Sequence, residues 1–308
     1  GIWQAVKGIL AFSNRKPASH KRERLHLMLN EAFLHTRIAK TPAGKAHFCI
    51  LWGFILLFFG TVIATIDWDV TRLFFGYRFL GGQFYLIYKL ILDLAGIATL
   101  GGLGYAAWTR WGQKHVSLEA SPRFACLIGF LAFIIISGFF AEALRLAVQK
   151  PVWASWSPIG NTIACLFFKG LPEDLLSAAH STLWWIHALS ALAFIALLPR
   201  NFFSHSFLAP WNIYEQKLEP KGALPKIENI EEQESFGISK FEQLSWKHLL
   251  DFNACTECAR CSDVCPAVKM GTPLNPKNVV LKLREAYQAR MKGNLSKTIS
   301  EDELWSCS

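Results

Sequence analysis

Apolar positions concentrate before Pro199, whereas the chain beyond Pro220 is largely polar and charged. Four apolar runs stand out, at 47–66, 84–108, 124–148 and 182–198. At about 1.5 Å of helical rise per residue, each suits a hydrocarbon layer roughly 30 Å thick. The first, HFCILWGFILLFFGTVIATI, has no charge beyond that available to His47. The second carries Lys89 and Asp93 one turn apart, and the third carries Glu142 and Arg145 near its end. The fourth, TLWWIHALSALAFIALL, stops at Pro199-Arg200. The pattern predicts an all-α membrane domain of four transmembrane helices over 46–207. A basic segment over 1–45 precedes it, a linker over 208–240 follows, and an α-helical soluble domain is expected over 241–308.

Residues 1–12 read equally as the tail of a helix lying upstream and as a packed amphipathic helix. The chain opens on Gly1 and stops at Cys307-Ser308, just after a charged, helix-like stretch. It is therefore expected to be a piece of a longer protein, with one more helix before it. Gly96, Gly101, Gly102 and Gly104 place small residues where membrane helices can approach closely.

Composition agrees with the pattern. Of 308 residues, 52% are apolar and only 18% charged, and the mean hydropathy of +0.25 is too high for an ordinary soluble domain. A formal net charge of +9 would suit a nucleic-acid binder, but the basic residues flank the apolar runs. Arg15, Lys16, Lys21, Arg22, Arg24, Arg37, Lys40 and Lys45 precede the first run, and Arg110, Lys114 and Arg123 lie between the second and third. Both groups belong in the cytoplasm by the positive-inside tendency. Four crossings then bring the chain back to the cytoplasm at Arg200. Trp153, Trp156 and Trp184 suit the outer interfacial belt.

The sharpest chemical signal is Cys255, Cys258, Cys261 and Cys265-Pro266, spaced C-x2-C-x2-C-x3-C-P within NACTECARCSDVCP. Gaps of two residues let successive thiolates curl around one iron–sulfur cluster, and the cysteine before proline typically ligates the other cluster of a two-cluster ferredoxin. A zinc site needs only paired cysteines and leaves the fourth, with its proline, unexplained. Cys307, beyond the helix-like stretch 276–291, starts a second cysteine run. Cys255, Cys258 and Cys261 are thus expected on one [4Fe–4S] cluster, and Cys265 and Cys307 on another, with the remaining ligands beyond residue 308. Cys49, Cys126 and Cys165 lie in or beside apolar stretches and read as small hydrophobes.

Histidine within a membrane span is costly unless partnered, which makes it a site candidate. His47 opens the first run and His205 follows the fourth on the same side, at depths suited to gripping one haem b from opposite faces. The plainer reading has them capping helices or meeting lipid headgroups. His180 and His187 share a helix face but stand about 10 Å apart along the axis, too far for one iron. His187, deeper in the outer half, reads as a haem ligand, a quinone contact or a packing residue, and His180 is the weaker ligand. Lys89, Asp93, Glu142 and Arg145 form ion pairs within or between helices on one reading. On the other they line a quinone pocket in which a carboxylate relays protons.

With these residues placed, the chain resembles a fusion of two known families. The landmarks HFCILWGFILLFFGT, SGFFAEALRLA and HSTLWWIHALSALAFIALLPRNFFSH are similar to the cytochrome b subunit of respiratory nitrate reductase and to the membrane subunit of heterodisulfide reductase. NACTECARCSDVCP and ELWSCS resemble the iron–sulfur subunit of heterodisulfide reductase. The resemblance implies two b haems stacked across the membrane, with His47 and His205 on the inner one and His187 on the outer. The partner of His187 falls at Leu57, where this sequence departs from the pattern. The family also implies cysteine-rich repeats past the second motif that hold a noncubane cluster.

The function implied is a membrane oxidoreductase in the cytoplasmic membrane, passing electrons between a soluble cytoplasmic donor such as electron-transferring flavoprotein and menaquinone. Two alternatives are a quinol-driven reductase of a disulfide or other sulfur compound, and a non-catalytic electron-transfer anchor. A transporter leaves the cysteines unexplained, and no catalytic triad, phosphate loop or paired glycosidic carboxylates appears. No nucleic-acid partner is expected.

Overall fold

The computed structural model describes residues 19–113, 118, 120–199, 202–220, 231, 237–289 and 292–307. Residues 1–12, and with them the two readings of that segment, lie outside the described residues, as do Arg15, Lys16, Lys114 and Arg200. The described chain is helical throughout, with a single isolated antiparallel bridge between Lys240 and Asn294. It divides into two compact units, one formed by 34–115 and 119–196, the other by 1–33, 116–118 and 197–308.

In chain order the helices are α1 (Lys21–Met28), α2 (Pro42–Thr65), α3 (Gly82–Ala107), α4 (Pro122–Gln149), the short α5 (Pro158–Ile163) and α6 (Glu173–Leu197). They continue as α7 (His205–Tyr214), α8 (Trp246–Ala254), α9 (Arg260–Val264), α10 (Pro266–Lys269), α11 (Pro276–Gln288) and α12 (Glu301–Trp305). Four of them, with their π-helical extensions, are long and apolar enough to cross a membrane: Pro42–Phe75, Gly82–Gly112, Pro122–Gln149 and Glu173–Leu197. These are the four expected runs, each longer than its apolar stretch. Caps set the starts. Thr41 accepts a hydrogen bond from the Gly44 N–H at 3.1 Å, with Pro42 in the first turn of α2, and Pro122 stands in the first turn of α4. The fourth helix begins at Glu173 rather than near residue 182, because Glu173 and Asp174 suit the positive end of the helix dipole.

Large apolar side chains point outward all along these helices: Phe59, Leu94, Trp185 and Leu192 are each more than half exposed. A patch of that extent in water would drive aggregation, and in lipid it is the required surface. Between α2 and α3 the backbones come close. A Cβ at Gly53 would lie 1.9 Å from Thr99 Oγ1, and one at Gly102 would lie 2.6 Å from the Ala46 carbonyl. Gly96 faces the Phe139 ring of α4 in the same way, whereas Gly101 and Gly104 meet nothing within 4 Å. Of the four glycines expected at helix contacts, two therefore pack and two do not.

Lys89, Asp93, Glu142, Arg145 and Asp67 are all engaged. Lys89 does not pair with Asp93, its neighbour one turn on. Its Nζ lies 2.7 Å from Glu142 Oε1, and Arg145 grips the same carboxylate through Nε at 3.0 Å and Nη2 at 2.8 Å. Asp93 instead accepts the Ile159 N–H at 2.6 Å, anchoring the start of α5. Asp67, 1% exposed, accepts the Phe79 and Leu80 N–H groups at 2.7 and 2.9 Å and the Arg78 Nε at 2.9 Å, closing the turn after the first span. Removing one partner of a buried charge group leaves the others uncompensated, at a cost of about 3–5 kcal/mol. Glu142→Gln strands two cations and is expected to destabilise by that amount. The check is the thermal unfolding midpoint in detergent, and an unchanged midpoint refutes this role for the triad.

The second unit has an aqueous-type core. Leu208, Leu249, Leu250, Phe252, Leu283 and Ala286 are buried together, drawn from α7, α8 and α11. Residues 208–214, assigned above to the linker, thus form helix and contribute Leu208 to that core. Arg24 of α1 ties this segment further, donating to the Tyr214 and Gln216 carbonyls at 2.9 and 2.7 Å.

Candidate iron–sulfur and haem sites

The cysteine segment is built by a helix ending, a left-handed loop and a helix beginning. Ser245 caps α8 and pairs reciprocally with His248, and α8 ends at Cys255 in extended conformation. The chain then passes through Glu257 (φ 56) and Ala259 (φ 62), both left-handed, so it turns sharply on either side of Cys258. Such residues are uncommon outside glycine and mark a backbone held by its surroundings. Glu257, 8% exposed, is held by Arg284 of α11, whose Nη2 lies 2.6 Å from Glu257 Oε1 while Nη1 donates to the Cys255 carbonyl at 3.2 Å. Cys261 lies in α9, and Cys265 links α9 to α10 with Pro266 following.

Electrostatics connects the first three cysteines. Burial pushes the Cys255 thiol above its ordinary range against the Glu257 N–H and Arg284, and the nearby Cys258 and Cys261 add to the rise. Burial acts the same way on Cys258, but the Arg260 side chain and N–H outweigh it and hold that thiol below its usual value. Arg260 Nε stands 3.5 Å from Cys258 Sγ. Cysteine thiolates are the ligands of iron–sulfur clusters, so the donor type here is the one such a cluster takes. Among the described residues no three His, Cys, Asp or Glu side chains converge as a closed metal site.

Cys307 follows α12, which is docked to α11 by Glu303. Lys282 Nζ lies 2.6 and 2.8 Å from the two Glu303 oxygens, and Ser300 N–H adds a bond at 3.1 Å. The Lys282 hydrogen bond first, then the Ser300 N–H, hold the Glu303 carboxyl below the ordinary carboxylate range. With the folded value depressed, this contribution to docking is complete above the unfolded value and is lost as pH falls through the folded one. Helix α11 therefore braces both cysteine segments, Cys255 through Arg284 and the Cys307 end through Lys282.

The histidines occupy distinct settings. His47, in α2, does not stand alone: its Nδ1 lies 2.7 Å from Nε2 of His35, and the two rings stack at 5.0 Å with 25° between planes. His35 is 2% exposed and escaped the sequence reading because it lies in a turn outside every apolar run. His187, in α6, is held by α4. Ser137 Oγ donates to the Ile134 carbonyl at 2.9 Å and lies 3.1 Å from His187 Nδ1. The imidazole lies over Gly138, where a Cβ would come within 3.0 Å of Cε1. If the serine proton stays on the Ile134 carbonyl, Nδ1–H of His187 donates to Oγ and the lone pair falls on Nε2. The Ser137-Gly138 pair begins the SGFFAEALRLA landmark, and its role was legible only once a partner helix was known. His180 lines a cavity of ≈ 110 Å³ with Arg145, Gln149, Ser177 and Ser181, smaller than the roughly 300 Å³ at which ligand pockets begin. His205 is the first residue of α7.

The cysteine loop and the hydrogen-bonded imidazoles are candidate redox-cofactor sites, and the known proteins that the chain resembles are oxidoreductases and a ferredoxin by name. No protein-family model matches the chain, and no solved structure matches it. It is 33% identical over 297 residues to the EtfAB:quinone oxidoreductase of Syntrophomonas wolfei subsp. wolfei, covering 93% of this chain and 40% of that protein. It is 29% identical over 267 residues to the probable iron-sulfur-binding oxidoreductase FadF of Bacillus subtilis, covering 86% of this chain and 37% of that protein. A stretch of 44 residues is 50% identical to the probable membrane-anchored ferredoxin of Chromohalobacter salexigens, 14% of this chain and 7% of that one. The chain thus spans about two fifths of the length of the first two relatives.

Proposed function

We propose that this chain is the membrane and iron–sulfur portion of an oxidoreductase that links a soluble flavoprotein to membrane quinone. The observation that carries the proposal is the union, in one chain, of a ferredoxin-spaced cysteine loop and a unit of four lipid-length helices bearing imidazoles tied through Nδ1. The relative named EtfAB:quinone oxidoreductase supports an electron-transferring flavoprotein and a quinone as redox partners; our reading makes the flavoprotein the donor and menaquinone the acceptor. The iron–sulfur-binding relative supports the clusters.

Clusters and haem, when bound, each accept and release one electron at a time. Cys255, Cys258 and Cys261 hold one [4Fe–4S] cluster, and Cys265 with Cys307 serves a second. Arg260, hydrogen-bonded to Cys258 Sγ, favours the more electron-rich state through its charge. In the apolar unit His47 and His187 would each offer an imidazole nitrogen to a b haem, and His205, which opens α7 in the other unit, would offer one as well. The basic flanks support a cytoplasmic position for the cysteine unit, with the apolar helices in the inner membrane.

The test uses the full-length protein in membrane vesicles, supplied with reduced electron-transferring flavoprotein and a menaquinone analogue. Quinone-dependent oxidation of the flavoprotein is the expected result. Quinone reduction that proceeds equally in vesicles lacking the protein refutes the proposal.

A further inference from the structure

The part-buried contact between His35 and His47 bears on how the His47 ring is held. His35 sits in a left-handed turn (φ 54) that only its surroundings can hold. Its ring stacks on His47 at 5.0 Å and meets Phe48 edge-on at 5.9 Å. Its Nε2 is 2.7 Å from His47 Nδ1, a short hydrogen bond between two imidazoles in which one nitrogen donates and the other accepts. Both residues belong to the apolar unit.

We propose that His35 is a positioning residue for the haem ligand His47, accepting its Nδ1–H and so fixing the His47 ring with its lone pair on Nε2. The inference rests on the haem reading above and names the group that sets that ligand's geometry and basicity. Histidines that bind iron or zinc commonly donate their other ring N–H to a fixed acceptor, which sets the tautomer and strengthens donation to the metal. Neutral imidazole Nε2 of His35 is such an acceptor. Ser137 plays the corresponding part for His187 with a hydroxyl, so His47 and His187 are tied through the same ring atom.

Two variants of nearly equal length separate hydrogen bonding from packing. His35→Gln retains an acceptor able to reach His47, and His35→Met retains bulk with at most a weak one. The readouts are haem content per chain and haem midpoint potential, with the cluster signal as the measure of intact protein. His35→Met should lower haem affinity by about 10- to 100-fold and move the potential positive, because a less basic ligand stabilises ferric haem less. His35→Gln should stay close to the parent in both. Equal losses in the two variants overturn the proposal by reducing the contact to packing, and so do parental values in both. If His35→Met fails to accumulate, His35→Asn replaces it, since asparagine tolerates the left-handed backbone but is too short to reach His47; parental potential and haem content there also overturn it. A parent protein with no b-type spectrum removes the haem reading itself, and this inference with it.

Discussion

Cys258→Ala in the full-length protein is expected to remove one [4Fe–4S] cluster and reduce flavoprotein-to-quinone electron transfer to background. Cys258 stands at the centre of the motif, between the left-handed residues Glu257 and Ala259, so the backbone turns about its side chain. It is also the thiol that Arg260 holds below its ordinary ionisation range, and thiolate is the form that binds iron. Iron should fall by about four atoms per chain, the content of one cubane cluster. The cluster's paramagnetic signal should vanish while the b-type haem spectrum remains. Retention of all the iron would remove Cys258 from the ligand set.

His47→Ala is expected to produce the complementary loss. The substitution lies within α2 (Pro42–Thr65), where alanine is the best helix former, so the helix survives. It deletes both the proposed axial nitrogen and the partner of His35 Nε2. Haem b should fall by one per chain with cluster signals unchanged, and electrons from the flavoprotein should then reduce the clusters but not quinone. Full haem content in this variant would place the ligand elsewhere, with His35 the first residue to examine.

The long-period features were readable from sequence. Four apolar runs become four lipid-length helices because length and hydropathy alone decide that outcome. Helix ends were less legible. The π-helical extensions Ile66–Arg72 and Trp108–Gly112 carry polar residues that a hydropathy window discards. Partnerships were least legible, because they depend on which helices meet. Lys89 and Asp93 look like a pair along one helix, yet Lys89 reaches Glu142 on α4 and Asp93 caps α5. His35 is twelve residues from His47 and lies in a turn, so no helical period connects them. Asp67 looked unremarkable in sequence, and its worth comes from two backbone N–H groups twelve and thirteen residues on. The cysteine spacing was plain, but the Arg284–Glu257 clamp that shapes its loop was not, since Arg284 lies 27 residues on from Glu257.

The central claim is that electrons pass from a cysteine-held cluster to an imidazole-held haem on their way to quinone. Rapid mixing of the full-length protein with reduced electron-transferring flavoprotein, in the absence of quinone, tests it most directly. The account predicts that the b-type haem becomes reduced in the parent protein and stays oxidised in Cys258→Ala. Haem reduction at the parental rate in Cys258→Ala, or a parent protein with no b-type band, would contradict it.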